Sequence, residues 1–162
     1  MQCMRAQLPH LTRPGGAIVN VSSTCGIRGL QQVSAYCASK HGVIGITKAA
    51  AAEYGPKGIR INAVCPGALD TPIFRLAESQ GVVSASTFEE GTLLKRMGKP
   101  EEVAQVLAFL LSDKASYVTG CMSLFDVANR SCLDCRWRFH CNVVSNQSNF
   151  SNVVPPSNEI PS

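Results

Sequence analysis

Two β-branched runs frame one long helical stretch, and that order leaves the chain few folds. "GGAIVNVSS", Gly15 to Ser23, and "GIRINAVCPG", Gly58 to Gly67, have the length and apolar continuity of buried strands. Between them, Ser34 to about Tyr54 is rich in alanine and predicts a helix closed by Gly55 and Pro56. Gly42 and Gly45 sit inside that helix, a cost to its stability that close packing against another helix would explain. "KPEEVAQVLAFLLSD" predicts a further helix, with a proline and two glutamates in its first turn, where the helix dipole favours them. Its Val103, Val106, Leu107, Leu110 and Leu111 form one apolar stripe. "GCMSLFDV" predicts a third strand. Strands alternating with helices predict an α/β fold, a doubly wound parallel sheet with right-handed crossovers.

The ends of the chain behave differently. "MQCMRAQLPHLTRPGG" has two arginines and no long apolar block, so it is not a secretory signal. Met4, Leu8 and Leu11 instead recur at helical spacing, as in the tail of an amphipathic helix. After Asp126 no amphipathic period survives, and Ser, Asn and Pro accumulate. The expected division is a folded domain over 1–126 and a disordered C-terminal tail over 127–162.

Composition excludes several functions. With 45% apolar and 16% charged residues, the 162-residue chain has a globular balance. Its net charge of +4 is too small and too scattered for a nucleic-acid or membrane surface. No apolar run reaches the roughly 18 residues of a membrane span. Of the eight cysteines, Cys3, Cys25, Cys37 and Cys65 are spread through apolar segments, as buried free thiols of a cytoplasmic protein would be. The tail's Cys132, Cys135, His140 and Cys141 match zinc ligands by type, but only four residues separate the ligand pairs, so no metal site is expected. Its three Asn-x-Ser sequons, at Asn129, Asn146 and Asn149, are expected to be chance in a Ser/Asn-rich stretch.

Tyr36 and Lys40, in "SAYCASKHG", lie one helical turn apart. A free phenol titrates near pKa ~10, too high for a good general base at neutral pH. An ammonium on the same helix face favours the phenolate electrostatically. Such a pair suits proton exchange with an alcohol or carbonyl. Alone it would more often be surface decoration.

The pair does not stand alone. Ser23 in "GGAIVNVSSTCG", thirteen residues before Tyr36, together with "YCASK", "GIRINAVCPGALDTP" and "RMGKPEEVAQVLAFLLSD…YVTG", resembles the short-chain dehydrogenase/reductase family from about Met1 to Asp126. The resemblance implies an NAD(P)-dependent oxidoreductase that interconverts a secondary alcohol and a ketone. It implies that Tyr36 is the acid/base, that Lys40 also holds the nicotinamide ribose, and that Ser23 donates a hydrogen bond to the substrate oxygen. Ser22 is the alternative serine. The resemblance further implies cofactor contacts from the Pro66-Gly67 turn, from backbone around Leu69, and from Thr71. Asn20 is expected to link strand to loop rather than to catalyse, and His41 to be a solvated or packed helix residue.

Other family parts have no counterpart here. A Gly-x-x-x-Gly-x-Gly turn after a first strand is absent, since "RPGGAI" precedes a strand. So are the residue selecting NAD or NADP, the Asn-Asn-Ala-Gly strand, and the helix asparagine of the family's proton relay. Where the family continues Val-Asp-Gly-Gly, this chain has "FDVA", a departure at the end of the last strand. The expectation is therefore a partial Rossmann-like sheet, the second half of the fold, inactive as it stands and prone to self-association. A full-length form would be a homo-oligomer acting on a small-molecule alcohol or ketone. The alternative is a non-catalytic remnant that associates through the helix Ser34–Tyr54.

Overall fold

The computed structural model describes residues 2–81 and 83–125. Cys132, Cys135, His140 and Cys141, where no metal site is expected, the sequons and the expected tail over 127–162 lie outside the described residues. In chain order the elements are α1 (Gln2–Gln7), β1 (Ala17–Val21), α2 (Ser34–Tyr54), β2 (Arg60–Cys65), α3 (Pro72–Ser79), α4 (Ala85–Gly91), α5 (Pro100–Leu111) and β3 (Met122–Leu124). The three strands are parallel in the order β1-β2-β3.

The period-2 alternation of the strands sorts the core into two layers. On one face, Ile18 of β1 and Ile61 of β2 pack with Ala50 and Ala51 of α2 and with Met4 and Leu8 beside them. On the other, Val19 and Val64 pack with Val106, Leu107 and Leu110 of α5. The sheet is thus covered on both faces, as a doubly wound plan requires. Strand order advances in one direction while α2 and α5 lie on opposite faces. The two connections therefore have opposite hands, and the expectation of uniformly right-handed crossovers fails for one of them.

β2 is the centre of the molecule. Ile61, Asn62, Ala63, Val64 and Cys65 are all buried. Each large apolar side chain buried there contributes about 1.5–3 kcal/mol. Asn62 is tolerated because its amide is satisfied twice: Nδ2 donates to Val118 O (2.8 Å), and Oδ1 accepts from Cys121 N–H (3.0 Å). Arg60 donates to the carbonyls of Leu110 (2.7 Å) and Ser112 (3.0 Å), placing a cation on the open carbonyls that end α5.

Several sequence expectations change in detail. β1 is only partly buried, Ile18 alone being fully so, because it forms the outer edge of the described sheet. A cleft of about 480 Å³, lined by Leu11, Ile18, Val19 and Leu111 among others, runs along that edge. Leu111, expected in the α5 stripe, is half exposed there. Gly55 keeps helical φ, and the left-handed turn after α2 falls at Gly58 (φ 74°), where a Cβ would lie 2.7 Å from Pro14. A Cβ built at Gly42 or Gly45 meets nothing within 4 Å, so no described part of this chain supplies the close packing expected there. Cys25, Cys37 and Cys65 are buried, whereas Cys3 is exposed.

Candidate functional site

The sequence-predicted residues converge on the carboxyl edge of the sheet, where open α/β sheets bind ligands. β1 ends at Val21 and runs into Ser22 and Ser23. β2 ends at Cys65 and runs into Pro66 and Gly67. The two exits are joined backbone to backbone, Ser22 N–H donating to Val64 O (2.8 Å) and Thr24 N–H to Pro66 O (3.0 Å). α2 brings Tyr36 in its first turn, with the side chain 46% exposed.

Lys40, one turn further along, faces both partners. Its Nζ stands 5.6 Å from the centroid of the Tyr36 ring and donates to Val21 O at 3.2 Å. A cation over an aromatic face is attracted by the ring quadrupole, and the strand-end carbonyl limits where that cation can go. The helical spacing read from the sequence therefore becomes an ammonium held at the end of β1 and facing the Tyr36 ring.

The two serines separate cleanly. Ser22 is buried, and its hydroxyl donates to Lys40 O (2.9 Å). Ser23 is half-buried, and its Oγ accepts from Cys25 N–H (3.1 Å), which caps the 3-10 turn Thr24–Gly26. Accepting that bond leaves the hydroxyl proton of Ser23 available to a substrate oxygen, whereas Ser22 has spent its own. Beneath both, burial pushes the Cys65 thiol above its ordinary range; the Ser22 side chain, the Ser23 backbone and Lys40 partly offset this.

The segment after β2 is pinned by a second strand-like contact. Leu69 bridges Gly98, with Gly98 N–H donating to Ala68 O (3.0 Å) and Asp70 N–H to Gly98 O (2.9 Å). A Cβ at Gly98 would lie 2.9 Å from the Leu69 side chain, so glycine permits that approach. Thr71 caps α3, its Oγ1 accepting from Phe74 N–H (3.3 Å), and so keeps a hydroxyl proton to donate. Arg75 is tied to Asp70 and Arg96 to Glu102, each at 2.6 Å. The Arg75 guanidinium holds the Asp70 carboxyl below its usual range, and Arg96 with the Lys99 backbone lowers Glu102 to about 2.

Asn20 and His41 stay apart from this chemistry. Asn20 Nδ2 donates to Thr47 Oγ1 (2.9 Å) and to Met4 Sδ (3.1 Å), tying β1 to both helices of its face. His41 is exposed, with Nδ1 2.9 Å from Cys37 O. Sequence reasoning missed the roles of Ser22, Gly26 and Gly98, which depend on contacts between segments far apart in the chain. Among the described residues no group of His, Cys, Asp and Glu side chains is placed to hold a metal ion, and no helix is long and apolar enough to cross a membrane.

A family model described as enoyl-(acyl carrier protein) reductase matches residues 1–127. The chain is 52% identical over 126 residues to cyclohexanol dehydrogenase of Acinetobacter sp. (strain SE19), covering 75% of this chain and 46% of that protein. It is 47% identical over 108 residues to levodione reductase of Leifsonia aquatica, covering 64% and 40%. A solved structure of ElxO with NADP bound superposes with a TM-score of 0.70 at 34% identity, over 76% of this chain and 50% of that one. The chain spans about half the length of the curated relatives it matches.

Proposed function

Because the chain belongs to the short-chain dehydrogenase/reductase family, we propose that residues 1–126 carry the acid–base part of an NAD(P)-dependent oxidoreductase acting on a secondary alcohol or ketone. The observation that supports this most is the Lys40 ammonium, shared between the Tyr36 ring and the Val21 carbonyl. A bound NAD or NADP would supply the hydride acceptor or donor for the carbinol carbon.

The groups present suit such a cofactor: an ammonium on Lys40, a hydroxyl on Thr71 that still has its proton, and the backbone of Gly67 and Leu69 after β2. Lys40 reaches the carboxyl end of β1, and Gly67, Leu69 and Thr71 follow the carboxyl end of β2. In alcohol oxidation the Tyr36 phenolate takes the hydroxyl proton as the carbonyl forms, and in reduction the phenol returns it. Lys40 stabilises the phenolate and would hold a ribose hydroxyl of the bound cofactor. Ser23 donates to the substrate oxygen and offsets the negative charge that develops there. Cyclohexanol dehydrogenase is named for a neutral secondary alcohol, and a neutral alcohol or ketone is the substrate class proposed here.

The test joins this chain to the segment of cyclohexanol dehydrogenase that it does not cover. The chimera is expected to bind NAD(P)H and oxidise secondary alcohols. Tyr36→Phe is expected to lower kcat by about 10²–10⁴-fold, the range for losing a general acid/base. A nucleotide-binding chimera whose Tyr36→Phe variant turns over as fast as its parent would refute the proposal. The open side of α2 at Gly42 and Gly45 favours a second reading, association through that helix without catalysis. Sedimentation of the chain with and without a Gly45→Glu substitution tests this second reading, and association that the substitution leaves unchanged would refute it.

A further inference from the structure

We propose that Ser22 and Gly26 are positioning residues that clamp the Lys40 turn of α2 onto the Ser23 loop, and so fix where the Tyr36–Lys40 pair meets the substrate serine. The inference rests on the acid–base reading above for its purpose, but its geometry is independent of it.

The turn at Lys40 is gripped at two points. Its side chain is held by Val21 O, and its main chain by the Ser22 hydroxyl, which donates to Lys40 O at 2.9 Å. Both contacts come from consecutive residues leaving β1, so the strand end sets the height and the rotation of the helix together. The 3-10 turn can approach this closely only because residue 26 lacks a side chain. A Cβ there would stand 2.5 Å from Ser22 Oγ, 2.8 Å from Lys40 O and 2.9 Å from Ile44 Cδ1. Two of those three atoms are the donor and the acceptor of the clamp. Gly26 N–H also donates to Ser23 O (2.8 Å), so the glycine that makes room for the helix also shapes the serine's own loop. Ser22 is buried within this contact and its hydroxyl is already committed, which fits a residue that acts through Lys40 rather than on substrate.

The reporter is Lys40 itself, read in the 162-residue chain without any cofactor. An amine-reactive ester labels surface lysines, and mass spectrometry compares Lys40 with the exposed Lys48 and Lys57. Ser22→Ala removes one oxygen and carries the test alone. It is expected to raise Lys40 labelling about threefold or more relative to Lys48, and to speed amide exchange over 40–44, while exchange over 61–64 in β2 stays as in the parent. Gly26→Ala is expected to move the same readouts further. In the chimera, Ser22→Ala is expected to lower kcat about tenfold or more with the alcohol KM within about twofold, because misplacing a reacting group costs turnover before it costs binding. Unchanged Lys40 labelling overturns the clamp, as does faster exchange spread equally through β2. Full activity in Tyr36→Phe would instead defeat the functional proposal and leave the labelling result standing.

Discussion

β2 and the α3–α4 excursion are neighbours in sequence and opposites in construction. Five of the six β2 residues are buried, whereas neither α3 nor α4 contributes a buried residue. Ile61 and Val64 are wholly enclosed, while Ile73 is 83% and Leu76 59% exposed. What holds the excursion is local: the Thr71 cap, the Phe74–Phe88 edge-to-face pair with ring centroids 5.3 Å apart, and Asp70 with Arg75. The proposed acid–base residues all hang on the first kind of structure. The proposed chemistry thus sits on the packed sheet and α2, and the exposed apolar surface is borne by elements that contribute no buried residue.

The largest break in that contrast is a pair of alanine substitutions. Ile61→Ala is expected to destabilise by about 2–5 kcal/mol, since it deletes buried methylenes between α2 and the sheet. Leu76→Ala is expected to stay within about 0.5 kcal/mol, because its side chain is already in solvent. Denaturant midpoints measured side by side decide it, and a Leu76→Ala cost approaching that of Ile61→Ala would show the excursion to be part of the core.

A second break lies within the site. Ser23→Ala in the chimera is expected to lower kcat about 10²–10³-fold, the scale of one lost oxyanion-type donor. It should leave the melting temperature nearly unchanged, since only a capping bond to Cys25 is lost. A large loss of stability with turnover preserved would reverse the roles assigned here to Ser22 and Ser23.

The same contrast explains what the sequence made legible. β2 and α2 were readable because burial on both faces leaves a continuous apolar run, and one unbroken helix leaves an alanine-rich stretch. The Tyr36–Lys40 pair was readable because helical spacing is local. The hand of the second connection was not, because it depends on which face of the sheet α5 covers, and its stripe reads the same on either side. The Ser22–Lys40 contact was hidden for a related reason: its partners are eighteen residues apart, and adjacent serines look alike until one of them is buried. Gly55 and Gly58 both stand where a helix closes, and only the folded chain shows that the left-handed φ and the approach of Pro14 fall at Gly58.

The smallest expected effect concerns the ion pair that fastens the far end of the excursion to α5. Glu102 accepts from both Arg96 nitrogens (2.6 and 2.8 Å) and from Lys99 N–H (2.7 Å), which closes the first turn of α5. These bonds lower its pKa from the ordinary 4.5 to about 2. A carboxylate whose folded pKa is depressed stabilises the fold fully above its ordinary value, and that contribution fades as pH falls through the folded one. Parent and Glu102→Gln should therefore differ in thermal midpoint at pH 6, and the difference should shrink from about pH 4.5 downward and vanish near pH 2. Because the pair is open to solvent, the difference at pH 6 should also narrow as salt is raised. A gap that is independent of both pH and salt would mean that Glu102 acts through packing, and that the excursion is joined to α5 by contact rather than by charge.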